Sequence, residues 1–151
     1  MFARDFVHVH QPFEQVAPRF AREPTWLEPI VTDALGQAPT QQLEFDLPSP
    51  SPRFAERAHC TRGPLRVRDS TLVVPLIWSF ERDPLGLSPV ESDLTVTPVD
   101  PTQCLLILEA RLRPPASVRP SALQHVVEAV LRSFLHGLAD IIDPERASPS
   151  T

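Results

Sequence analysis

A chain of 151 residues is long enough for one domain that buries its own core without disulfide or metal staples, and two domains are not expected. Its net charge of −5, with 14 basic residues that are all Arg against 19 acidic ones, excludes binding to nucleic acid or anionic membranes through bulk electrostatics, which needs a positive field to release counterions. The apolar runs are too short for stable membrane insertion. Met1 to Asp5 also lacks the charged start, apolar stretch and small-residue cleavage site of a signal peptide, so a cytoplasmic protein is expected.

Residues 2 to 10 alternate, with Val7 and Val9 on one side and His8 and His10 on the other, the period of a half-buried strand. Pro12 opens a helical stretch in which Phe13, Val16, Ala17 and Phe20 share a face, with Pro18 weakening its middle. After Pro24, Thr25 is placed to cap a second helix through Ile30, Val31 and Ala34, and Gly36 suits its left-handed C-terminal position, while Pro29 disturbs its regularity.

From Gln41 the pattern turns to strands. Leu43, Phe45 and Leu47 alternate with Gln42, Glu44 and Asp46, and a Pro/Ser loop over 48 to 52 follows. Residues 57 to 68 read as one interrupted strand or two, broken at Gly63-Pro64, and Asp69-Ser70 turns into a strand over 71 to 81. In that strand Leu72, Val74, Leu76, Trp78 and Phe80 share a side, and Pro75 implies an edge, a bulge or a bend. Strands over 90 to 98 and 103 to 112 follow, joined at Asp100-Pro101. In the latter, Leu106, Leu108, Ala110 and Leu112 should face inward and Leu105, Ile107, Glu109 and Arg111 outward, with small Ala110 marking a close approach or a cavity wall. Cys60 and Cys104 lie in apolar strand contexts with no CxxC spacing and no third ligand, so they are expected to be unpaired, reduced and buried.

The last helix is the clearest element. Pro120 suits its first turn, and Leu123, Val126, Val127, Val130, Phe134, Leu138, Ile141 and Ile142 form one apolar stripe opposite Gln124, His125, Glu128, Arg132, His136 and Asp140. At ~1.5 Å per residue it spans roughly 35 Å, enough to cross a small sheet. The reading is one α+β domain over 1–144, an antiparallel sheet of six or seven strands closed on the terminal helix, with an irregular tail over 145–151.

This order of elements resembles the helix-grip fold of the START-like (SRPBCC) superfamily, which includes Bet v 1-like proteins, START lipid-transfer domains and polyketide aromatase/cyclases. Val9-His10-Gln11-Pro12-Phe13-Glu14-Gln15-Val16 looks like that family's entry from the first strand into the first helix. Val74-Pro75-Leu76-Ile77-Trp78, Glu91-Ser92-Asp93-Leu94-Thr95-Val96 and the Pro114-Pro115 exit resemble a bacterial branch of it. The resemblance covers about residues 2 to 142 and implies a cavity between sheet and helix that takes a lipid, sterol or polyketide-like molecule. It places Trp26 near the open end of that cavity.

Leu43, Phe45, Leu47, Leu76, Trp78, Phe80, Leu94, Val96, Leu106, Leu108 and Leu112 should then look inward from the sheet, facing Val127, Val130 and Phe134. The core or pocket lining expected to matter most is Trp26, Phe45, Leu76, Trp78, Phe80, Leu94, Leu106, Leu108, Val127, Val130, Phe134 and Gly137. Trp78 needs a partner for its indole N–H if buried, either a backbone carbonyl or a ligand oxygen. Gly137, lacking a side chain on the helix stripe, points to close packing or ligand room.

No residue is assigned a catalytic role. Glu44, Asp46, Glu91, Asp93 and Glu109 alternate out of phase with the apolar residues, and Ser92 and Cys60, the inward polar candidates, have no base beside them in sequence. His8 and His10, about 7 Å apart on one strand face, have no third ligand, so no metal and no cofactor are expected. The expected activity is binding or transport of a small hydrophobic molecule. The alternatives are a polyketide cyclase or dehydratase, which the absence of Tyr disfavours, and a protein-interaction module, with a homodimer compatible with either.

Overall fold

The computed structural model describes residues 1–38, 57–81, 86–87, 89–116 and 118–147. The strand expected over 41 to 47, with Phe45, lies outside the described residues. β1 (Phe2–Val9) buries Ala3, Val7 and Val9 and turns Phe6 and His8 to the other face, as the alternation requires. α1 (Phe13–Val16) is a single turn that continues as a tighter 3₁₀ turn, Ala17–Ala21, because Pro18 supplies no N–H to the α ladder.

A second 3₁₀ turn, Pro24–Leu27, leads into α2 (Glu28–Gly36), and here two expectations about caps fail. Thr25 sits inside the 3₁₀ turn and offers its backbone carbonyl to the Glu28 N–H, while Leu27 is the N-cap of α2 and gives no side-chain bond. Pro29 falls in the first turn of α2, where its missing N–H costs nothing. Gly36 stays helical, and Gln37 (φ −95°, ψ 0°) ends the helix, so no left-handed cap forms.

The remaining strands are β2 (Arg57–Arg62), β3 (Arg66–Arg68), β4 (Thr71–Glu81), β5 (Val90–Asp100) and β6 (Gln103–Arg111). All pairings are antiparallel in the order β1-β6-β5-β4-β2, with β3 also on β4. Residues 57 to 68 are therefore two strands sharing one partner. Asp69 (φ 51°) and Ser70 (φ 66°) both adopt left-handed backbone, the two-residue hairpin turn whose twist matches the strands it joins.

Pro75 is an interior residue of β4, register-paired with Asp93 of β5. Its carbonyl accepts the Gly63 N–H at 3.0 Å on the other side, between the end of β2 and the start of β3, so its missing N–H points at the break and costs no ladder bond. Gly63 permits this approach, since a Cβ there would lie 3.2 Å from the Pro75 Cβ.

α3 (Pro120–Ile142) lies against the sheet, parallel to β1. Gln124 Nε2 donates to the Phe2 carbonyl at 2.8 Å, Arg132 pairs with Asp5 at 3.2 Å, and the His10 N–H donates to the buried Asp143 carboxylate at 3.2 Å. Reciprocal bonds of 2.9 and 3.0 Å between Met1 and Leu112 close the far corner. α2 packs on α3, which is why Leu131, Leu135 and Ala139 are buried beside the predicted stripe. Ile141 departs from that stripe, 46% exposed in a groove between the two helices. α4 (Pro144–Ala147) adds one helical turn at the start of the stretch from 145 for which no regular structure is predicted.

The register of β6 is as expected: Cys104, Leu106, Leu108 and Ala110 are buried, whereas Leu105, Ile107, Glu109 and Arg111 form the opposite face. There Arg111 binds Asp93 at 3.0 Å, Arg66 reaches Asp93 at 3.7 Å and Arg4 reaches Glu109 at 3.4 Å. The cysteines are free and buried on β2 and β6. Burial pushes the Cys60 thiol up to about 12, against some relief from the Trp78 indole, and the Cys104 thiol up to about 11.

Two measurements follow from this packing. A Cβ on Gly137 would stand 3.0 Å from Ile30 Cγ2, so Gly137→Ala should lower the melting temperature in the native background. In an Ile30→Ala background it should raise it, as the helix-propensity gain of about 1 kcal/mol is freed from the clash. The thiols give an alkaline signature, because the chain has neither Lys nor Tyr to titrate alongside them. From pH 9 upward the unfolded thiols ionise while the buried ones stay protonated, so stability should fall as pH rises toward 11. Urea midpoints should decline less steeply with pH in Cys60→Ala; an equal slope would show that Cys60 is not held protonated.

Candidate ligand site between the sheet and the last helix

Most of the space under α3 is filled. Leu76, Leu94, Leu106, Leu108 and Phe134 are fully buried and pack as solid core, and Trp78 meets Phe134 edge to face at 5.4 Å between ring centroids. At the Trp78 end the packing opens into an apolar cavity of ≈ 20 Å³, lined by Leu35, Trp78, Phe80, Val90, Ala110, Leu112, Val127, Val130 and Leu131. That volume exceeds the ~10–15 Å³ that one water needs, but hydrocarbon walls offer water too few partners, so such a space stays dry.

The structure thus gathers Trp78, Phe80, Val127 and Val130 of the expected lining around the cavity and leaves Leu76, Leu94, Leu106, Leu108 and Phe134 as packed core. Ala110 is the cavity wall its small size implies, and Leu112 joins it. Trp26 packs elsewhere, its ring 5.7 Å from Phe20 in the first helical segment. Gly137 faces Ile30 of α2 and lies on the helix–helix groove, so its missing side chain serves close packing rather than ligand room under α3. Leu35, Val90 and Leu131 were missing from the predicted lining. Leu35 and Leu131 face the cavity only because α2 and α3 pack together, and no periodicity in either segment alone reports that.

The polar inventory of the site is short. Ser92 is buried, but its hydroxyl donates to the Leu76 carbonyl at 3.0 Å. Cys60, cross-strand from Trp78, is held protonated by burial. Among the described residues no acid, base or Arg lines the cavity. The Trp78 indole N–H is buried with the Cys60 thiol as its weak neighbour across the strand pair, and the Trp26 N–H is buried without an acceptor among the described residues. A buried donor without a partner costs roughly 1–3 kcal/mol.

His8 and His10 are exposed, and among the described residues no group of three or more His, Cys, Asp or Glu is arranged to hold a metal. One cluster was not foreseen: His59 places Nε2 2.8 Å from Glu81 and Nδ1 3.8 Å from Glu28. The carboxylates meet opposite ring nitrogens, so they cannot converge on one ion. Glu28 also accepts the Cys60 N–H at 2.9 Å and Thr32 the Ala58 N–H at 3.2 Å, and the cluster fastens α2 to the edge of β2. A second concavity of ≈ 660 Å³ runs between α2 and α3, with Ile30, Asp33, Arg132, Ser133, His136 and Ile141 among its walls.

No protein-family model and no curated protein matches the chain. Solved structures do. Norcoclaurine synthase from Thalictrum flavum, in complex with dopamine and hydroxybenzaldehyde, superposes with a TM-score of 0.54 at 14% identity, over 100% of this chain and 88% of that one. An aromatase/cyclase from a Streptomyces species gives 0.54 at 13%, over 98% and 96% of the two chains. A START superfamily protein from Mycobacterium smegmatis gives 0.51 at 9%, over 97% and 99%. The chain has the helix-grip fold of START-like and Bet v 1-like proteins, and at these identities the likeness is one of fold.

Proposed function

We propose that the protein binds a small hydrophobic molecule between the sheet and α3, at the Trp78 end, as a carrier rather than a catalyst. The observation that carries this reading is an apolar cavity at the Trp78 end of a core that is otherwise closely packed. A cavity of ≈ 20 Å³ admits a ligand only if α2 and α3 shift outward, and both contribute walls to it through Leu35, Val127, Val130 and Leu131. Neighbours of the same fold lend support, since one holds two aromatic molecules and another is an aromatase/cyclase. Cyclase-type chemistry would require an acid or base at the cavity, and its described walls are hydrocarbon apart from the indole. No described helix is long and apolar enough to cross a membrane, and the two free thiols suit our reading of a cytoplasmic carrier.

A second reading, an interaction module or homodimer of the same fold, rests on the outer face of β1, where Phe2 and Phe6 are 68% and 59% exposed. Sedimentation of a dimer that Phe6→Ser dissociates would favour it.

The carrier reading is tested by thermal shift and tryptophan fluorescence with apolar molecules graded in size from benzene through naphthalene to sterols. A ligand at a hundredfold excess over its dissociation constant should add about 2.7 kcal/mol of stability. Trp78 emission should change with it. Ala110→Val, a β-branched residue on a strand, should fill the cavity and abolish both responses while the fold persists. If no molecule in the series moves either signal, the carrier reading fails.

A further inference from the structure

On the outer side of Leu112 lies a depression of ≈ 440 Å³, whose walls include Leu87, Pro89, Glu91, Arg111, Leu112 and Arg113. Leu112 also walls the apolar cavity, and Val90, another cavity residue, stands between Pro89 and Glu91 of the depression. The two spaces thus share a wall. Reciprocal bonds to Met1 pin the Leu112 backbone, so the part of that wall free to move is the leucine side chain.

Leu87, Pro89 and Leu112 give the depression apolar surface, and its charges are not balanced. Glu91 lies 3.9 Å from the Arg111 guanidinium, which Asp93 also holds at 3.0 Å, so Arg111 is already matched. Arg113 is exposed and, among the described residues, in no ion pair.

We infer that this depression is the mouth of the ligand site, and that the ligand is an amphiphile whose carboxylate pairs with Arg113 while its apolar body passes Leu112 into the cavity. This rests on the carrier reading and adds a ligand class to it. A guanidinium presents two parallel N–H donors that match the two oxygens of a carboxylate. At the mouth that carboxylate stays in contact with water, so the penalty of burying an ion among hydrocarbon walls does not arise. A cationic head group would be repelled by Arg113, and an uncharged one would gain no ion pair from it.

Decanoate and methyl nonanoate are matched in size and differ in charge. With the full-length protein and both molecules below their micellar range, Arg113→Gln should weaken decanoate binding about fivefold and leave methyl nonanoate unchanged. Arg68→Gln, which removes the same charge from exposed β3, should change neither. In the native protein the Arg113 Nε–H resonance should move with decanoate and stay in place with methyl nonanoate, which keeps the test independent of whether Arg113→Gln folds. An unchanged decanoate affinity in Arg113→Gln, or an Arg113 resonance that ignores decanoate, would overturn the inference and leave the carrier reading standing wherever the ester still binds. Binding of neither molecule to the native protein would remove both.

Discussion

α3 covers the buried face of the sheet and also lies along the free edge of β1, and this double contact is the constraint on which the rest of the fold depends. Its sheet-facing side chains, Leu123, Val126, Val127, Val130, Phe134 and Leu138, are nearly all buried, each worth about 1.5–3 kcal/mol relative to exposure. The polar contacts along the same line are weaker. Arg132 is 67% exposed on the Asp5 pair, the kind of ion pair that contributes 0 to ~1 kcal/mol. Burial therefore supplies the stability, while Gln124, Arg132 and Asp143 choose the direction in which the helix runs. They also occupy an edge that would otherwise invite another strand.

The opposite margin of the sheet is handled in the same way. α2 presents Glu28 and Thr32, one helical turn apart, to the Cys60 and Ala58 N–H groups, two residues apart on β2. The repeat of the helix face and that of the strand edge nearly coincide, about 6 Å against about 7 Å, so one helix satisfies two successive edge donors. α2 is thereby held between β2 and α3, and its Leu35 reaches the cavity from outside the sheet–helix pair.

Charge is sorted cleanly between the two faces. Arg4, Arg66, Asp93, Glu109 and Arg111 pair on the outer surface, while the described inner surface holds the Ser92 hydroxyl, bonded to the Leu76 carbonyl, two buried thiols and the Trp78 indole. The loosened packing at the Trp78 end is where an apolar ligand would be stabilised most, because filling it removes a void from an otherwise close-packed core.

The division between sequence and tertiary structure follows from the range over which each signal acts. Period-two alternation reports the two faces of a strand without reference to any neighbour, so the registers of β1, β4, β5 and β6, the Asp69-Ser70 turn and the main stripe of α3 were legible from residue order. So were two unpaired buried cysteines and the wall position of Ala110. What depends on a second element was not. Thr25 and Gly36 have the chemistry of helix caps, but the 3₁₀ entry and the packing of α2 decided where that helix begins and ends. Gly137 sits on an apolar stripe, yet only the approach of Ile30 shows that the missing side chain makes room for a helix. The His59 cluster joins residues 22 and 31 positions apart, a separation at which sequence carries no geometric signal. The inward direction of Trp78 was set by alternation; whether its N–H would find a backbone carbonyl was settled by the fold, which left it without one.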